Sequence, residues 1–388
     1  MKPLRLVLVV RHFWPLLDGP ARLMGELAAG LAERGCRATI LTARWDQSWP
    51  AELFFRGVPV VRTGPAPRGG WHTVRYLHAL ASWLRRRRSQ FDLVCVSGAT
   101  LEAFAAALAL RGSQRLVIRV ERGGRDGDCY WQKHSSCGQH VKRRCAEATV
   151  LIAPWPGVAS ELLARGYRRE QVRLIANGVA IPPSSNDAQK AAARAVLGQL
   201  LTPAQMPPWA PLAVYVGRLD RRRGLATLLE AWRLLAGRWP DARLWLVGAG
   251  PDHHHIQQTV RTLALDGRIH LLGAFDCVDQ PLAAADVFVC PAPEFGTGGA
   301  ILEAMAAGLP VVAVNTEPAR ELVGQGIAGM LVAGENAQAM AAAIDRLFGD
   351  PQLASRLGAA GRRRAEQQYS AAKMVEEHLK LFESLAAQ

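Results

Sequence analysis

Two segments of this 388-residue chain combine residue types that can do chemistry together, GRLDRRRG at 217–224 and EFGTGGAILEAMAAGLPVV at 294–312. The first follows LAVYV at 212–216, whose β-branched and aromatic residues between Pro211 and Gly217 predict a buried strand. Gly217 turns the chain, and Arg218 and Arg223 lie on the loop beyond it. Ligands of an open α/β sheet bind at the carboxyl ends of its strands, so these guanidiniums stand where a diphosphate would lie. Arginine matches phosphate oxygens with a planar fork of donors and keeps its charge. In the second segment the strand DVFVC at 286–290 runs into a glycine-dense loop, and a helix is predicted from near Gly298 to Gly308. Gly296, Gly298 and Gly299 carry no side chains, so N–H groups at the helix start can approach an anion that the helix dipole also favours. Glu303, just over one turn in, is a carboxylate able to accept hydrogen bonds from hydroxyl groups. Either segment alone reads equally well as a solvated basic turn or a structural glycine turn; their order and spacing together are more specific.

The elements that must position these residues alternate between strand and helix along the whole chain, which predicts α/β architecture with mostly parallel sheets. A length of 388 residues exceeds one core and fits two domains. LRLVLVV at 4–10, CRATILTA, FDLVCVSG at 91–98, RLVIRV at 115–120 and ATVLIAP at 148–154 read as strands of a first domain over 1–180. The Pro-, Ser- and Asn-rich stretch 181–211 reads as a linker, 212–369 as a second domain, and 370–388 as a helix crossing back onto the first.

Charge is unevenly placed. Residues 1–180 hold 28 Lys plus Arg against 13 Asp plus Glu, whereas 181–388 hold 19 against 20. A positive field of this kind attracts anionic saccharides, lipid phosphates or a membrane surface. The segment WHTVRYLHALASWLRRRR at 71–88 sharpens that expectation. Trp71, Val74, Leu77, Leu80, Ala81 and Leu84 recur at helical spacing, Tyr76 and Trp83 flank the stripe, and Arg85 to Arg88 close it. Such a helix suits a lipid interface, and it equally suits packing on a sheet. Only five apolar residues separate Arg5 from Arg11, too few for a signal peptide, and no stretch reaches membrane-spanning length. The expected location is the cytoplasm, at the inner face of the membrane. Seven cysteines suggest no disulfide framework; Cys129, Cys137 and Cys145 near His134 and His140 lack the close pairing of a zinc site, and His253 to His255 read as an exposed helix start.

With these residues in view the chain resembles glycosyltransferase family four, the retaining GT-B group. The resemblance runs through DGPARLMGELAAGLAERGCRATILTA at 18–43, VRLIANGVAIP at 172–182, the arginine loop, LWLVGAGP at 244–251, IHLLGAF at 269–275, PLAAADVFVCPA at 281–292, the Glu303 helix and ELVGQGIAGMLV at 321–332. It implies two Rossmann-like domains with mostly parallel sheets facing across a cleft, and transfer of a sugar from a nucleotide diphosphate sugar to a hydroxyl of a glycan or glycolipid. It also implies that Arg218 binds the donor diphosphate and Arg223 stands where the family usually has lysine. Glu303 matches the ribose-holding second glutamate of a paired motif, and Gly19 a loop whose backbone touches the donor phosphate. Gly298 and Gly299 complete the donor set. Counting back from Glu303 puts Phe295 at the first glutamate's position, with Glu294 one residue earlier as the candidate for the donor sugar. The family's amino-terminal histidine is missing from RLVIRVERGGRDGD at 115–128, which offers Glu121, Arg122, Asp126 and Asp128, so the acceptor-side group stays open.

No cofactor or metal is expected, since Arg218, Arg223 and the helix start at 298 can neutralise the leaving diphosphate. The alternatives are a GT-B-like nucleotide-sugar epimerase and a catalytically weak donor-binding subunit. A dinucleotide oxidoreductase is disfavoured because GAGP at 248–251 lacks the third glycine of that fingerprint, and no nucleic-acid-binding module is present.

Overall fold

The computed structural model describes residues 3–110, 115–184, 186–199, 207, 209–292 and 298–387. The chain divides into two compact units, Met1–Gly178 with Ala371–Gln388, and Val179–Ser370.

The first unit is built on strands β1 (Arg5–Val9), β2 (Arg37–Arg44), β3 (Glu52–Phe55), β4 (Val58–Pro65), β5 (Leu93–Ser97), β6 (Arg115–Arg119), β7 (Val150–Ala153) and β8 (Val172–Leu174). They pair in the order β3-β4-β2-β1-β5-β6-β7-β8, parallel except for the β3–β4 hairpin. Along β5 successive side chains enter opposite cores: Val94 and Val96 join one apolar cluster, Leu93 and Cys95 the other. Helices on both faces bury these runs, as parallel sheets require. The carboxy-terminal helix Ala371–Ala386 belongs to this unit and buries Met374, Val375 and Phe382. Its His378 donates from Nδ1 to the Met374 carbonyl (2.8 Å) and accepts on Nε2 from Arg119 (3.4 Å), while Arg119 also donates to Asn177 Oδ1 (2.6 Å). Burial first, and then the Arg119 charge, push His378 down to about 3, so it stays a neutral acceptor.

The second unit has strands β9 (Leu212–Val216), β10 (Arg243–Val247), β11 (Ile269–Gly273), β12 (Val287–Cys290), β13 (Val311–Val314) and β14 (Gly329–Val332), all parallel, in the order β11-β10-β9-β12-β13-β14. Numbered from β9 this is the doubly wound 3-2-1-4-5-6 order, which reverses direction between β9 and β12. The stretch read as a linker contains the helix Asp187–Gly198, opened by an Asn186–Gln189 capping box. This helix is part of the second unit: Lys190 and Arg194 both pair with Asp286 (2.5 and 2.7 Å), ahead of β12, and Arg194 also donates to the Ala284 carbonyl.

The helix Gly70–Arg86 corrects the reading of 71–88 as a lipid-facing stripe. Leu80 and Leu84 are fully buried, and Leu77, Ala81 and Trp83 pack against the same core. Burying each leucine contributes about 1.5–3 kcal/mol, so the stripe is committed to the fold. Trp71 (71% exposed) and Val74 (50%) remain outside at the start of the helix, and Arg85, Arg86 and Arg88 are exposed at its end. Among the described residues no helix is long and apolar enough to cross a membrane, and no group of three or more His, Cys, Asp or Glu is arranged to hold a metal ion. Cys129 and Cys145 are buried core thiols, and Cys137 is half-buried.

Candidate active site

Both chemistry-bearing segments fall at the β9/β12 reversal of the second unit. The arginine loop leaves β9, and the helix Gly299–Ala306, carrying Glu303, follows β12. Glu294, Phe295 and Gly296 lie outside the described residues.

The backbone of the arginine loop is fixed from nearly every side. Gly217 N–H donates to Val247 O (2.9 Å) and Leu219 N–H to Ala249 O (3.0 Å), while Leu219 O accepts from Asp252 N–H (3.1 Å). The Arg218 carbonyl accepts from Asp220 N–H (3.1 Å) and from the buried Tyr215 hydroxyl (2.8 Å). Burial pushes the Tyr215 phenol up, which keeps it a donor. These contacts explain the glycines of GAGP. A Cβ at Gly248 would lie 1.9 Å from Gly217 O, and one at Gly250 2.1 Å from Leu219 O. The two loops are zipped backbone to backbone, a close approach that side chains would block.

Electrostatics then sorts the four arginines. Arg222 pairs with Asp220 (2.8 Å) and Arg221 with Asp252 (3.1 Å). The Arg222 hydrogen bond holds the Asp220 carboxyl down to about 2. Arg218 is exposed, and no hydrogen bond or ion pair to its side chain is found among the described residues. Arg223 is half-buried and its charge reaches both Tyr215 and Cys290, the last residue of β12, which brings it to the reversal point. The helix Gly299–Ala306 starts from Gly298 in the left-handed region (φ 74°) with no side-chain cap. The first N–H groups of a helix have no intrahelical partner and favour an anion. Asn186, Thr316, Asn336 and Asp350 cap other helices of the same unit, whereas the helices Leu225–Leu235, His253–Thr262 and Asp279–Ala284 also start without a side-chain cap. Glu303 is half-buried on this uncapped helix. The set amounts to fixed cationic and N–H donors around a strand end, an arrangement that binds and stabilises an anion.

The first unit reverses between β1 and β5, and its strand ends carry different chemistry. Arg11 forms a bidentate pair with buried Glu102 (2.6 and 3.0 Å). Asp128 Oδ2 accepts from Ala99 N–H (2.8 Å) and Glu121 N–H (3.3 Å), and Ser97 donates to Glu121. Burial first, and then the Asp128 charge, push the Glu121 carboxyl well above the carboxylate range. Arg122 Nη2 stands 3.9 Å from the other Glu121 oxygen. Gly19, exposed, opens the helix Gly19–Glu33, which Asp18 caps through Oδ1 (2.9 Å to Ala21 N). Asp18 Oδ2 lies 3.2 Å from Nδ1 of His12, whose ring stacks on Trp45 at 4.3 Å and 21°. Sequence reasoning missed His12: it sought a histidine along 115–128, whereas this one lies on the loop after β1, six residues before a helix-capping aspartate.

Residues 18–178 match the glycosyl transferase 4-like domain, and residues 210–350 match glycosyl transferases group 1. The lipopolysaccharide core biosynthesis glycosyltransferase LpsE of Rhizobium meliloti is 31% identical over 60% of this chain and 64% of its own length, so the match spans just under two thirds of that relative. The α-maltose-1-phosphate synthase of Mycobacterium tuberculosis is 30% identical over 66% of this chain and 70% of its own. Among solved structures, sucrose-phosphate synthase of Thermosynechococcus elongatus superposes with a TM-score of 0.82 at 23% identity over 99% of each chain. Anabaena Alr3699/HepE in complex with UDP and glucose gives 0.78 at 20% identity, over 98% of this chain and 100% of the other. With the doubly wound sheets and the donor-rich strand end, these matches mean that the chain belongs to the group 1 glycosyltransferases and has their GT-B fold.

Proposed function

We propose that the protein transfers a hexose from a nucleoside diphosphate sugar to a hydroxyl of a glycan or glycolipid, with retention of anomeric configuration. The observation that carries this reading is the β9/β12 strand end, where Arg218, Arg223 and the uncapped helix at Gly298 and Gly299 provide fixed positive charge for a diphosphate. Glu303 takes ribose hydroxyls, the Gly19 backbone meets a donor phosphate, and Glu294 reaches toward the donor sugar. In the reaction the C1–O bond to phosphate breaks as the acceptor oxygen bonds C1 on the same face, and the departing phosphate oxygen takes the acceptor proton. The protein supplies position and electrostatics, and the arginines with the helix start neutralise the leaving group without a metal. Similarity to a lipopolysaccharide core enzyme supports a glycan or glycolipid acceptor, and the UDP-bound relative supports a nucleotide donor.

Incubation with UDP-, GDP- and ADP-hexoses tests this. Release of nucleoside diphosphate with an axial product linkage from an axial donor is expected; inversion of configuration, or isomerised donor without transfer, would overturn it. We also assign the exposed face of helix Gly70–Arg86, with Trp71, Val74, Arg85, Arg86 and Arg88, to an anionic membrane surface at the inner face of the membrane. Basic residues near such lipid contribute about 1 kcal/mol each. Cosedimentation with anionic vesicles should weaken with salt and on replacing Arg85, Arg86 and Arg88 by Gln, and salt-insensitive binding would reject the assignment.

A further inference from the structure

The acceptor-side group that the sequence leaves open has a candidate in the first unit's own strand ends. We infer that His12 binds a hydroxyl of the saccharide acceptor through Nε2 and that Asp18 is the residue that positions it; this rests on the reading of the protein as a glycosyl-transferring enzyme.

The placement comes from topology. His12 lies on the loop after β1, at the β1/β5 reversal, where an open parallel sheet leaves its crevice. The loop is held just before it: the Arg11 carbonyl accepts from Trp45 Nε1 (3.0 Å), Thr42 Oγ1 (3.2 Å) and Ala43 N–H (3.4 Å). The imidazole is then fixed in two further ways. Its face stacks on Trp45, and its Nδ1 sits 3.2 Å from Asp18 Oδ2. The ring keeps 32% of its surface, so it is held and still reachable.

The chemistry follows from which nitrogen is engaged. A carboxylate accepting the Nδ1 proton selects the tautomer whose Nε2 carries a lone pair, and that lone pair accepts a hydrogen bond from an incoming hydroxyl. Asp18 does two jobs with two oxygens. Oδ1 caps the helix that opens at Gly19, and Oδ2 orients His12, so the segment expected to touch donor phosphate and the acceptor-binding ring are set by one side chain. The occupant is a polyhydroxylated neutral or anionic saccharide that offers an O–H, and no proton changes hands at His12 in the proposed reaction.

The test uses the full chain and separates the two ring nitrogens. Asparagine reproduces the position of Nδ1 and can keep the Asp18 contact, whereas glutamine reproduces Nε2. Transfer from UDP-hexose to p-nitrophenyl hexosides is measured for wild type, His12→Asn, His12→Gln and Asp18→Asn, alongside UDP affinity and melting temperature. Asparagine caps helices as well as aspartate does, so Asp18→Asn spares the cap and alters only what faces Nδ1. We expect kcat/KM for the acceptor to fall about tenfold or more in His12→Asn and Asp18→Asn, a range set by losing one hydrogen bond, and less in His12→Gln, with UDP affinity and melting temperature unchanged. His12→Asn as active as wild type or more active than His12→Gln, or acceptor efficiency lost only in step with UDP affinity, would overturn the inference. Absence of any transfer by the wild type would instead sink the function on which it rests.

Discussion

The two strand-order reversals of this protein are chemically opposite, and opposite also to the charge of the units that carry them. The second unit has almost no net charge, yet its reversal is cationic: Arg218 and Arg223 lie there beside Arg221 and Arg222, which pair with Asp252 and Asp220, and the nearby helix has no side-chain cap at Gly298. The strongly basic half of the sequence places carboxyls on the segments that follow its strands, with Glu102 paired to Arg11 after β5, Glu121 and Asp128 after β6, and Asp18 after β1. Net charge governs long-range attraction, but the site depends on where individual charges are placed. The construction differs as well. The second unit's loop is held mainly by backbone-to-backbone hydrogen bonds, whereas in the first unit side chains make every described contact of this set.

The largest expected effect breaks the cationic side of the comparison. Arg218→Ala and Arg223→Ala should each cost about 2–4 kcal/mol of barrier, on the order of a hundredfold or more in rate. Arg221→Ala and Arg222→Ala, removing charges already paired at the surface, should cost a few-fold at most in the same steady-state assay. Equal losses from all four would mean that place in the loop does not set an arginine's role.

Gly250→Ala tests the claim that the proposed donor site is held by backbone contacts. Its Cβ would meet Leu219 O at 2.1 Å, and main chain cannot swing away as a side chain can. A stability loss of about 1–3 kcal/mol by denaturant unfolding is expected, with a further fall in UDP affinity as residues 217–220 shift. A variant as stable as wild type that binds UDP equally well would show that the zipped loops are dispensable.

Glu121→Gln sharpens the acidic side. The folded chain holds the Glu121 proton above the usual carboxyl range, whereas the unfolded chain releases it near pH 4.3. The unfolded state therefore binds fewer protons above that pH, and stability falls as pH rises toward the raised folded value. Replacing the carboxyl by an amide removes this slope, leaving the one from Asp128, whose carboxyl burial also raises. Relative to wild type, Glu121→Gln should be on the order of 1 kcal/mol more stable at pH 9 than at pH 5. Parallel stability–pH curves would place an ionised Glu121 in the fold.

This difference in construction also decides what could be read from sequence. The segments proposed to bind the donor are local: glycines and arginines follow directly on apolar runs, so type and spacing carry the signal. The first unit's site joins Arg11 to Glu102 and Ser97 to Glu121, pairings set by strand order that no spacing encodes. His12 and Asp18 are close in sequence, yet a histidine six residues ahead of a capping aspartate follows no period. For the helix at 70–86, periodicity revealed an apolar face without saying what covers it, and Leu80 and Leu84 went to the core. The helix at 187–198 is legible as a short helical pattern between Pro-rich stretches and is absorbed in the linker reading, although Asn186 and Gln189 have the capping spacing that ties it to a folded unit.

The most direct test of the central claim is calorimetric titration of UDP and of uridine into wild type and the Arg218→Ala/Arg223→Ala double variant. If the β9/β12 reversal is a diphosphate site, wild type should prefer UDP over uridine by about a hundredfold or more, roughly 3 kcal/mol, with the double variant losing most of that preference while binding uridine unchanged. A double variant that keeps the full preference for UDP would contradict the account.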